Sequence, residues 1–120
     1  MSEYKLGAVE SRFADIIWQN APLSSSLLAK LAEQDLSWKK STTYTVLKRL
    51  CDKGLFQNNN GTVSSLISRQ EFFALQSERF VEDTFAGSLP AFLAAFSSRK
   101  KLSAEEVTKL REMVAAYEEE

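Results

Sequence analysis

The sequence contains no histidine and a single cysteine, Cys51. Without an imidazole and with only one thiol, the chain lacks the side chains that most hydrolytic enzymes use as a general base and that zinc sites use as ligands. The four glycines do not form a glycine-rich phosphate-binding loop. We therefore expect no catalytic residue, no metal and no cofactor, and we expect that this protein is not an enzyme.

Long apolar runs are also absent. No stretch of 18 apolar residues occurs, and residues 1–10 lack the basic-then-apolar pattern of a signal peptide. We expect a cytoplasmic protein with no membrane contact. Its 120 residues, 44% hydrophobic and 26% charged, are typical of a globular chain with one packed core or two very small domains. Cys51 lies beside Leu47 and Leu50 and is expected to be a small core residue.

What the sequence does contain is an amphipathic stretch at residues 38–54, around which the rest of the chain is arranged. The predicted helix has Ser41 as its N-cap and ends at Gly54. This stretch carries five basic side chains and one acidic one, although the whole chain has a net charge of −1. Helical periodicity puts apolar residues on one face, namely Val46, Leu47 and Leu50, with Thr43 and Cys51 at its edges. The outer face carries hydroxyls and cations, namely Ser41, Thr42, Thr45, Lys48 and Arg49.

The outer face of this helix has two interpretations. Hydroxyl side chains near a helix N-terminus, followed one turn later by Lys and Arg, suit a helix in the major groove of DNA. The hydroxyls would meet base edges and phosphates, and the cations would hold the backbone. The alternative is an ordinary solvated face rich in lysine. The flanking elements decide between the two.

Two helices are predicted before the central one. The first covers residues 8–19 and the second covers residues 25–33, behind serines that can cap it. Residues 34–40 form a turn of the length found between the two helices of a helix-turn-helix. Three short helices with a polar outer face on the third are the frame of a DNA-binding helix-turn-helix. The expected core residues of the first two helices are Val9, Phe13, Ile16, Ile17, Leu28, Leu31 and Ala32.

A β-hairpin is predicted directly after the central helix. Residues 55–58 and 62–67 have a period of two and flank Asn59-Asn60-Gly61, where Asn-Gly is a strong hairpin signal. A hairpin in this position is a wing, and it favours the DNA-binding interpretation. Residues 57–62, at the tip, carry no cation. Contact with phosphate there would come from amide side chains and backbone N–H groups.

The remainder of the chain is predicted to be helical. Residues 70–85 carry Phe72, Phe73, Phe80 and Phe85, more aromatic surface than the front domain is expected to cover. Gly87-Ser88 ends this helix, and Ser88 caps the next. Ser103 then begins a capping box with Glu106. The last helix carries an apolar stripe of Val107, Leu110, Val114 and Tyr117.

The apolar stripes of these three helices need a partner surface. A symmetric dimer would bury them, and the alternative is a helical cap folded back on its own domain. We expect a mainly α fold: a winged helix-turn-helix with a small β-hairpin wing at residues 1–68, and a three-helix dimerisation domain at residues 69–120.

Four segments of this chain, in order, resemble the penicillinase-repressor family of bacterial winged-helix repressors. They read LGAVESRFADIIW, STTYTVLKRLCDKGL, FVEDTFAGSLPAFLAAF and LSAEEVTKLREMV, and together they span nearly the whole sequence. The most specific parts are the central helix and the F-x-G-S segment at residues 85–88. The resemblance implies a homodimeric transcriptional repressor, whose N-terminal winged helix binds a palindromic operator in double-stranded DNA and whose C-terminal helices make the dimer.

The helix pattern and the resemblance together give two sets of site residues. The expected DNA-binding residues are Lys39, Lys40, Ser41, Thr42, Tyr44, Thr45, Lys48 and Arg49. By similarity, the residues facing bases would be Ser41, Thr42, Tyr44 and Thr45, and those steadying the backbone would be Lys48 and Arg49. The expected dimerisation residues are Phe80, Phe85, Leu89, Phe92, Leu93, Phe96, Leu110 and Val114.

The sequence departs from the family pattern in three places. Antibiotic-sensing members are inactivated by a regulatory protease, typically at an Asn-Phe bond, whereas the matching pair here is Ala95-Phe96. The replaced asparagine speaks against cleavage by that kind of protease. The cysteine-rich motif of the copper-responsive branch is absent, so copper sensing by that route is not expected. The wing is less basic and less aromatic than the family's.

The wing has no charged residue at its tip and the net charge of the chain is slightly negative, and these two features leave a second function open. In this alternative the winged helix is a protein-binding adaptor, whose hydroxyl face docks a protein instead of DNA. Affinity for DNA that rises steeply as salt falls would distinguish the repressor from the adaptor.

Overall fold

A computed structural model describes residues 6–119. The chain divides into two compact units that join between Arg79 and Phe80, inside a long helix. In chain order the elements of the described residues are α1 (Ala8–Asn20), β1 (Leu23–Ser24), α2 (Ser25–Leu36), α3 (Lys40–Asp52), β2 (Phe56–Asn59), β3 (Thr62–Ser65), α4 (Arg69–Phe85), α5 (Leu89–Arg99) and α6 (Ala104–Glu118). The predicted fold class, mainly helical with a small hairpin, is confirmed.

The first three helices form the predicted helix-turn-helix frame. The Ser24 side chain caps α2 by accepting the Leu27 N–H at 3.0 Å. Helix α2 continues one turn further than predicted and ends at Ser37, whose φ of 58° is left-handed. The turn to α3 is therefore only three residues long, at residues 37–39, instead of the predicted seven-residue segment 34–40.

One hydrophobic core holds α1, α2, α3 and the small sheet together. Val9, which was expected in this core, is exposed, so that prediction is wrong. Val9 lies in the first turn of α1. A side chain at the end of a helix can be exposed even when the periodicity of the sequence places it on the buried face. Leu31 is half-buried against the core. The buried hydrophobic residues of these elements, and of the connection between α3 and β2, include Phe13, Ile16, Ile17, Leu23, Leu28, Ala32, Val46, Leu47, Leu50, Leu55, Phe56 and Val63.

The sheet has three antiparallel strands in the order β1-β3-β2. In the hairpin, Phe56 pairs with Ser65 and Asn59 with Thr62. The two turn residues, Asn60 and Gly61, have φ values of 52° and 89°, as a type I′ turn requires at both central positions. The predicted hairpin and its Asn-Gly turn are confirmed. Strand β1 was not predicted, because a two-residue strand has no periodicity to recognise.

The start of α4 belongs to the N-terminal core. Phe72 is 1% exposed and its ring lies 5.5 Å from the ring of Trp18, between centroids. The indole Nε1 of Trp18 donates to the Ile67 carbonyl at 3.0 Å. The expectation that Phe72 exceeds what the front domain can cover is therefore wrong. The first compact unit extends to Arg79, and the functional division after residue 68 stays a prediction.

The second unit contains the end of α4, α5 and α6. The Ser88 side chain caps α5 by accepting the Ala91 N–H at 3.1 Å. The predicted capping box at α6 is confirmed: Glu106 N–H donates to the Ser103 hydroxyl at 3.0 Å, and Ser103 N–H donates to the Glu106 carboxylate at 2.9 Å. These hydrogen bonds lower the pKa of Glu106 from its usual value.

The aromatic side chains of the second unit cluster with one another. The rings of Phe80, Phe85 and Phe92 meet edge-on, at centroid distances of 5.7–6.0 Å. Even so, no residue of α5 or α6 is buried. A unit of this size therefore leaves much of its apolar surface uncovered. Within residues 6–119, no helix combines the length and the apolar character needed to cross a membrane.

Phe72 and Phe73 provide a matched test of the N-terminal core. We expect Phe72→Ala to lower the free energy of unfolding of this unit by about 3–5 kcal/mol, because it leaves a cavity in a packed core. Phe73→Ala should cost at most about 1 kcal/mol, because Phe73 is 40% exposed. Urea unfolding followed by tryptophan fluorescence measures both, since Trp18 and Trp38 lie in this unit. Equal losses for the two variants would contradict this packing.

Candidate nucleic-acid interface

Helix α3 begins at Lys40, with Lys39 as its N-cap residue and no side-chain capping hydrogen bond. The prediction that Ser41 is the N-cap is therefore wrong. The first helical hydrogen bond runs from Thr43 N–H to the Lys39 carbonyl at 3.1 Å. Trp38 packs against Phe13, with 4.9 Å between ring centroids, and fixes the chain immediately before the helix. The helix thus starts earlier than its hydroxyl residues suggest.

The inner face of α3 is buried as predicted. Val46, Leu47 and Leu50 lie in the core, and Thr43 at the edge is fully buried as well. Cys51 is half-buried and packs against the core, as expected. Burial and the neighbouring Asp52 carboxylate raise the pKa of the Cys51 thiol, which keeps it protonated at neutral pH. This face anchors the helix and does not face solvent.

The opposite face of α3 is open to solvent. Tyr44 is the exception among the eight expected DNA-binding residues, because it is half-buried and packs on the core. The Nζ atom of Lys40 lies 5.9 Å from the centroid of its ring. The exposed members of the set are Lys39, Lys40, Ser41, Thr42, Thr45, Lys48 and Arg49. Five of them, Ser41, Thr42, Thr45, Lys48 and Arg49, share one face of α3, and Lys39 and Lys40 lie at its N-terminal end.

The hydroxyl of Thr45 is already engaged within the helix. Its Oγ1 donates to the Ser41 carbonyl at 2.9 Å. The hydroxyl proton is used in this bond, but the oxygen lone pairs can still accept a hydrogen bond. Adenine N6 and cytosine N4 are donors at the floor of the major groove, and the methyl group of a threonine suits the methyl group of thymine. Thr45 is thus able to contact a base as an acceptor or through its methyl group.

The cations of this face fall into two groups. Near the C-terminal end of α3, Lys48 Nζ lies 3.4 Å from an Asp52 carboxylate oxygen, and Arg49 Nη1 lies 3.3 Å from a Glu10 carboxylate oxygen. Near the N-terminal end, neither Lys39 nor Lys40 makes an ion pair with any residue of the described chain. The positive end of the helix dipole lies there too. The N-terminal end is therefore the more available positive surface.

Glu10 was not singled out from the sequence. Its position three residues after Gly7 is the spacing of a capping box, and one carboxylate oxygen accepts the Gly7 N–H at 3.3 Å. From that spacing, the sequence could have predicted that the Glu10 carboxylate is held at the start of α1. Its contact with Arg49 joins residues 39 positions apart, which no local pattern reveals.

The wing presents amide side chains. Asn59 and Asn60 are exposed at its tip, whereas Asn58 Oδ1 accepts the Gly61 N–H at 3.1 Å. Gln57 Nε2 donates to the Ser64 hydroxyl at 3.1 Å. The Gln57 and Asn58 side chains therefore make hydrogen bonds within the hairpin, whereas the Asn59 and Asn60 side chains face outward.

The expected dimerisation residues lie in the second unit as an incompletely covered apolar surface. Four are exposed, namely Phe80, Leu89, Phe96 and Val114. Four are half-buried, namely Phe85, Phe92, Leu93 and Leu110. A groove between α5 and α6 is lined by Phe92, Phe96, Leu102 and Leu110, among others. The Ala95–Phe96 bond lies inside α5.

The chain matches the penicillinase repressor family over residues 6–116. It is 22% identical over 115 residues to the methicillin resistance regulatory protein MecI of Staphylococcus aureus (strain Mu50), covering 92% of this chain and 94% of that protein. It is also 22% identical over 117 residues to the penicillinase repressor of Bacillus licheniformis, covering 94% of this chain and 91% of that protein. The resemblance that the four segments indicated is confirmed. The chain therefore belongs to the penicillinase repressor family, a family of transcriptional repressors and not of enzymes.

Proposed function

We propose that this protein is a cytoplasmic homodimeric repressor that binds a palindromic operator with α3 in the major groove. The observation that carries the proposal is the division of α3 into a buried apolar face and an exposed face of hydroxyls and cations. An anchored helix of this kind can enter a groove about as wide as itself without disturbing the core. Occupation of the operator would then exclude the transcription machinery from the promoter.

Sequence preference would come from the hydroxyl side chains. Thr42 and Thr45 are exposed on the face that would enter the groove, and Ser41 is exposed beside them. Hydroxyls read base edges only where the helix is held in a fixed register, because a single such contact is weak. The wing would help to fix the register through Asn59 and Asn60, which can donate hydrogen bonds to phosphate oxygens.

The sequence-independent part of the affinity would come mainly from Lys39 and Lys40. Both side chains are exposed at the N-terminal end of α3, and within residues 6–119 they make no ion pair. A lysine that contacts a phosphate releases condensed counterions, so its contribution falls as salt rises. Lys48 and Arg49 would add further contacts after leaving their carboxylate partners.

The second unit would supply the dimer contact. Phe80, Leu89 and Phe96, with Val114 on α6, are large apolar side chains that a monomer would leave exposed to water. A two-fold dimer buries the same patch on both copies, and it presents two α3 helices to half-sites related by the same two-fold axis. A palindromic operator follows from that symmetry.

A regulatory protease is a second proposed partner, on the strength of the family resemblance alone. The Ala95–Phe96 bond lies within α5, so the helix would have to unwind locally before a protease could bind the bond in an extended form. Position 95 is alanine where the family's cleaved bond has asparagine, so a protease that requires asparagine there would not cut this bond.

The protein-binding adaptor remains the alternative. The uncharged wing and the carboxylate partners of Lys48 and Arg49 are the observations that favour it. Binding to duplex DNA that does not vary with salt, and that shows no preference for any palindrome, would support the adaptor against the repressor.

The lysines at the start of α3 can be tested by paired substitution. We expect Lys39→Ala with Lys40→Ala to weaken binding to operator and random duplex by similar factors, because phosphate contacts carry no sequence information. The slope of log affinity against log salt should become shallower by about two per subunit. Lys100→Ala with Lys101→Ala removes the same charge from the second unit and is the matched control. If both double variants weakened DNA binding equally, Lys39 and Lys40 would not be the phosphate-binding lysines.

Thr45 can be tested for base recognition. We expect Thr45→Ala to lower the preference for operator over a single-base variant by about 1 kcal/mol, while the salt slope stays unchanged. Thr108→Ala is the control, because Thr108 makes the same kind of bond, to the Ala104 carbonyl at 3.0 Å, on α6. Competition binding with a panel of single-base operator variants measures the preference. A uniform loss across the panel would show that Thr45 only supports the helix.

The dimer contact can be tested at Leu110, which is half-buried in the α5–α6 groove. Leu110→Asp should raise the dimer dissociation constant at least about 100-fold, because it places an unpaired charge in a buried contact. Thr108→Asp adds the same charge about 200° away around α6 and should leave the dimer intact. Sedimentation over a range of concentrations measures both, and circular dichroism checks that helices remain. A dimer that survives Leu110→Asp would place the interface elsewhere.

A further inference from the structure

Glu10 and Arg49 join the start of α1 to the outer face of α3. One Glu10 carboxylate oxygen accepts the Gly7 N–H at 3.3 Å, and the other lies 3.3 Å from Arg49 Nη1. The Glu10 side chain is 22% exposed, while the Arg49 side chain is 54% exposed. The carboxylate is thus held on the protein, and the guanidinium reaches it from the face proposed to meet DNA.

This arrangement differs from the other ion pair on α3. Lys48 and Asp52 are four residues apart on one helix, and their side chains are 80% and 69% exposed. A pair so exposed is screened by water and salt and restrains its lysine little. Glu10 is less exposed and is fixed by a backbone hydrogen bond at the end of α1, so it cannot follow Arg49 toward a phosphate. A guanidinium has five N–H donors, so Arg49 can approach a phosphate while it still contacts Glu10, but a phosphate that draws Nη1 outward costs this ion pair. The carboxylate and the phosphate therefore compete for Arg49.

We propose that Glu10 attenuates operator binding: it competes with DNA phosphates for Arg49, so the operator complex forms only at the cost of the Glu10–Arg49 ion pair. The proposal rests on the proposed function. On random DNA the helix docks without a fixed register, and a phosphate gives Arg49 little advantage over the carboxylate that it already contacts. On the operator the base contacts fix the register, so Arg49 meets one phosphate in one geometry and exchanges partners.

The competition has a definite signature in the dependence on salt. Each phosphate contact adds about 0.9 to the slope of log affinity against log salt. In the parent protein Arg49 contributes to this slope on the operator but not on random DNA. Removing the Glu10 charge frees Arg49 in both complexes, so only the slope on random DNA should become steeper, by about one contact per subunit.

Glu10→Gln is the substitution that isolates this effect. Glutamine retains a side-chain oxygen that can accept the Gly7 N–H, so α1 should keep this hydrogen bond at its N-terminus. Glu33→Gln, on the exposed surface of α2, removes the same charge elsewhere and measures the general effect of one carboxylate fewer. Glu10→Gln in an Arg49→Gln background tests whether the effect passes through Arg49. Thermal unfolding checks that all variants fold alike.

The experiment uses the full chain and two duplexes. One is a palindrome that the parent protein selects from a random-sequence pool, and the other is a scrambled duplex of the same composition. Fluorescence anisotropy at several salt concentrations gives the affinity and the slope for each. We expect Glu10→Gln to raise the operator affinity roughly 3- to 20-fold more than Glu33→Gln does, because two ion pairs per dimer no longer have to be broken. The affinity for the scrambled duplex should rise by no more than that, with the steeper slope. The ratio of operator to scrambled affinity should therefore stay constant or rise.

Three results would overturn the proposal. Slopes and affinities equal to those of Glu33→Gln would mean that the ion pair does not restrain Arg49. A loss of operator affinity would mean that Glu10 supports Arg49 instead of competing for it. If Glu10→Gln changed the affinities equally in the Arg49→Gln background, the effect of Glu10 would not act through Arg49. If the parent protein selects no palindrome, the proposed function and this inference fail together, whereas a parent that does select one leaves only the inference at risk.

Discussion

The structure depends on the packing of one face of α3 against the core of the N-terminal unit. Thr43, Leu47 and Leu50 are each at most 2% exposed, and this burial sets the rotation of the helix about its own axis. The rotation in turn decides which side chains face outward. If the helix turned by a quarter, hydroxyl and cationic residues would enter an apolar core at a cost of several kcal/mol for each unpaired polar group. The chemistry of the outer face is therefore a consequence of the burial of the inner one.

The cationic side chains on the exposed side of α3 are not equally available to a binding partner. The five cations of residues 38–54 suggest a uniform positive surface, but Lys48 and Arg49 lie beside carboxylates while Lys39 and Lys40 do not. The net charge of a segment therefore overstates the positive surface that a phosphate would meet. In the proposed complex with DNA, this difference would give the two ends of α3 different roles, with sequence-independent attraction at the N-terminal end and restrained contacts towards the C-terminal end.

The two compact units differ in how far they bury their apolar side chains. The first has a core in which three helices and a three-stranded sheet bury large side chains such as Phe13, Phe56 and Phe72. The second has capped helices and a cluster of phenylalanine rings but no buried residue in α5 or α6. A helical unit of this size cannot enclose its own apolar surface, because too few residues are available to cover it. The proposed dimer would cover this surface.

Local rules determined much of this protein from its sequence. Helical periodicity identified the buried and exposed faces of α3, the Asn60-Gly61 pair identified the turn of the wing, and Ser103 with Glu106 identified the start of α6. Each of these signals acts between residues a few positions apart, where backbone geometry and hydrogen bonding leave few choices. The family resemblance followed from the same segments.

Only the tertiary structure decided which residues from distant parts of the chain meet. Strand β1 exists because Leu23 pairs with Val63, Phe72 is buried because Trp18 and its neighbours receive it, and Arg49 is restrained because α1 brings Glu10 beside it. The segment just before α3 is likewise held by the packing of Trp38 on Phe13. Such contacts join residues 25 or more positions apart, and their free energy depends on the packing of the whole unit, which no short stretch of sequence encodes.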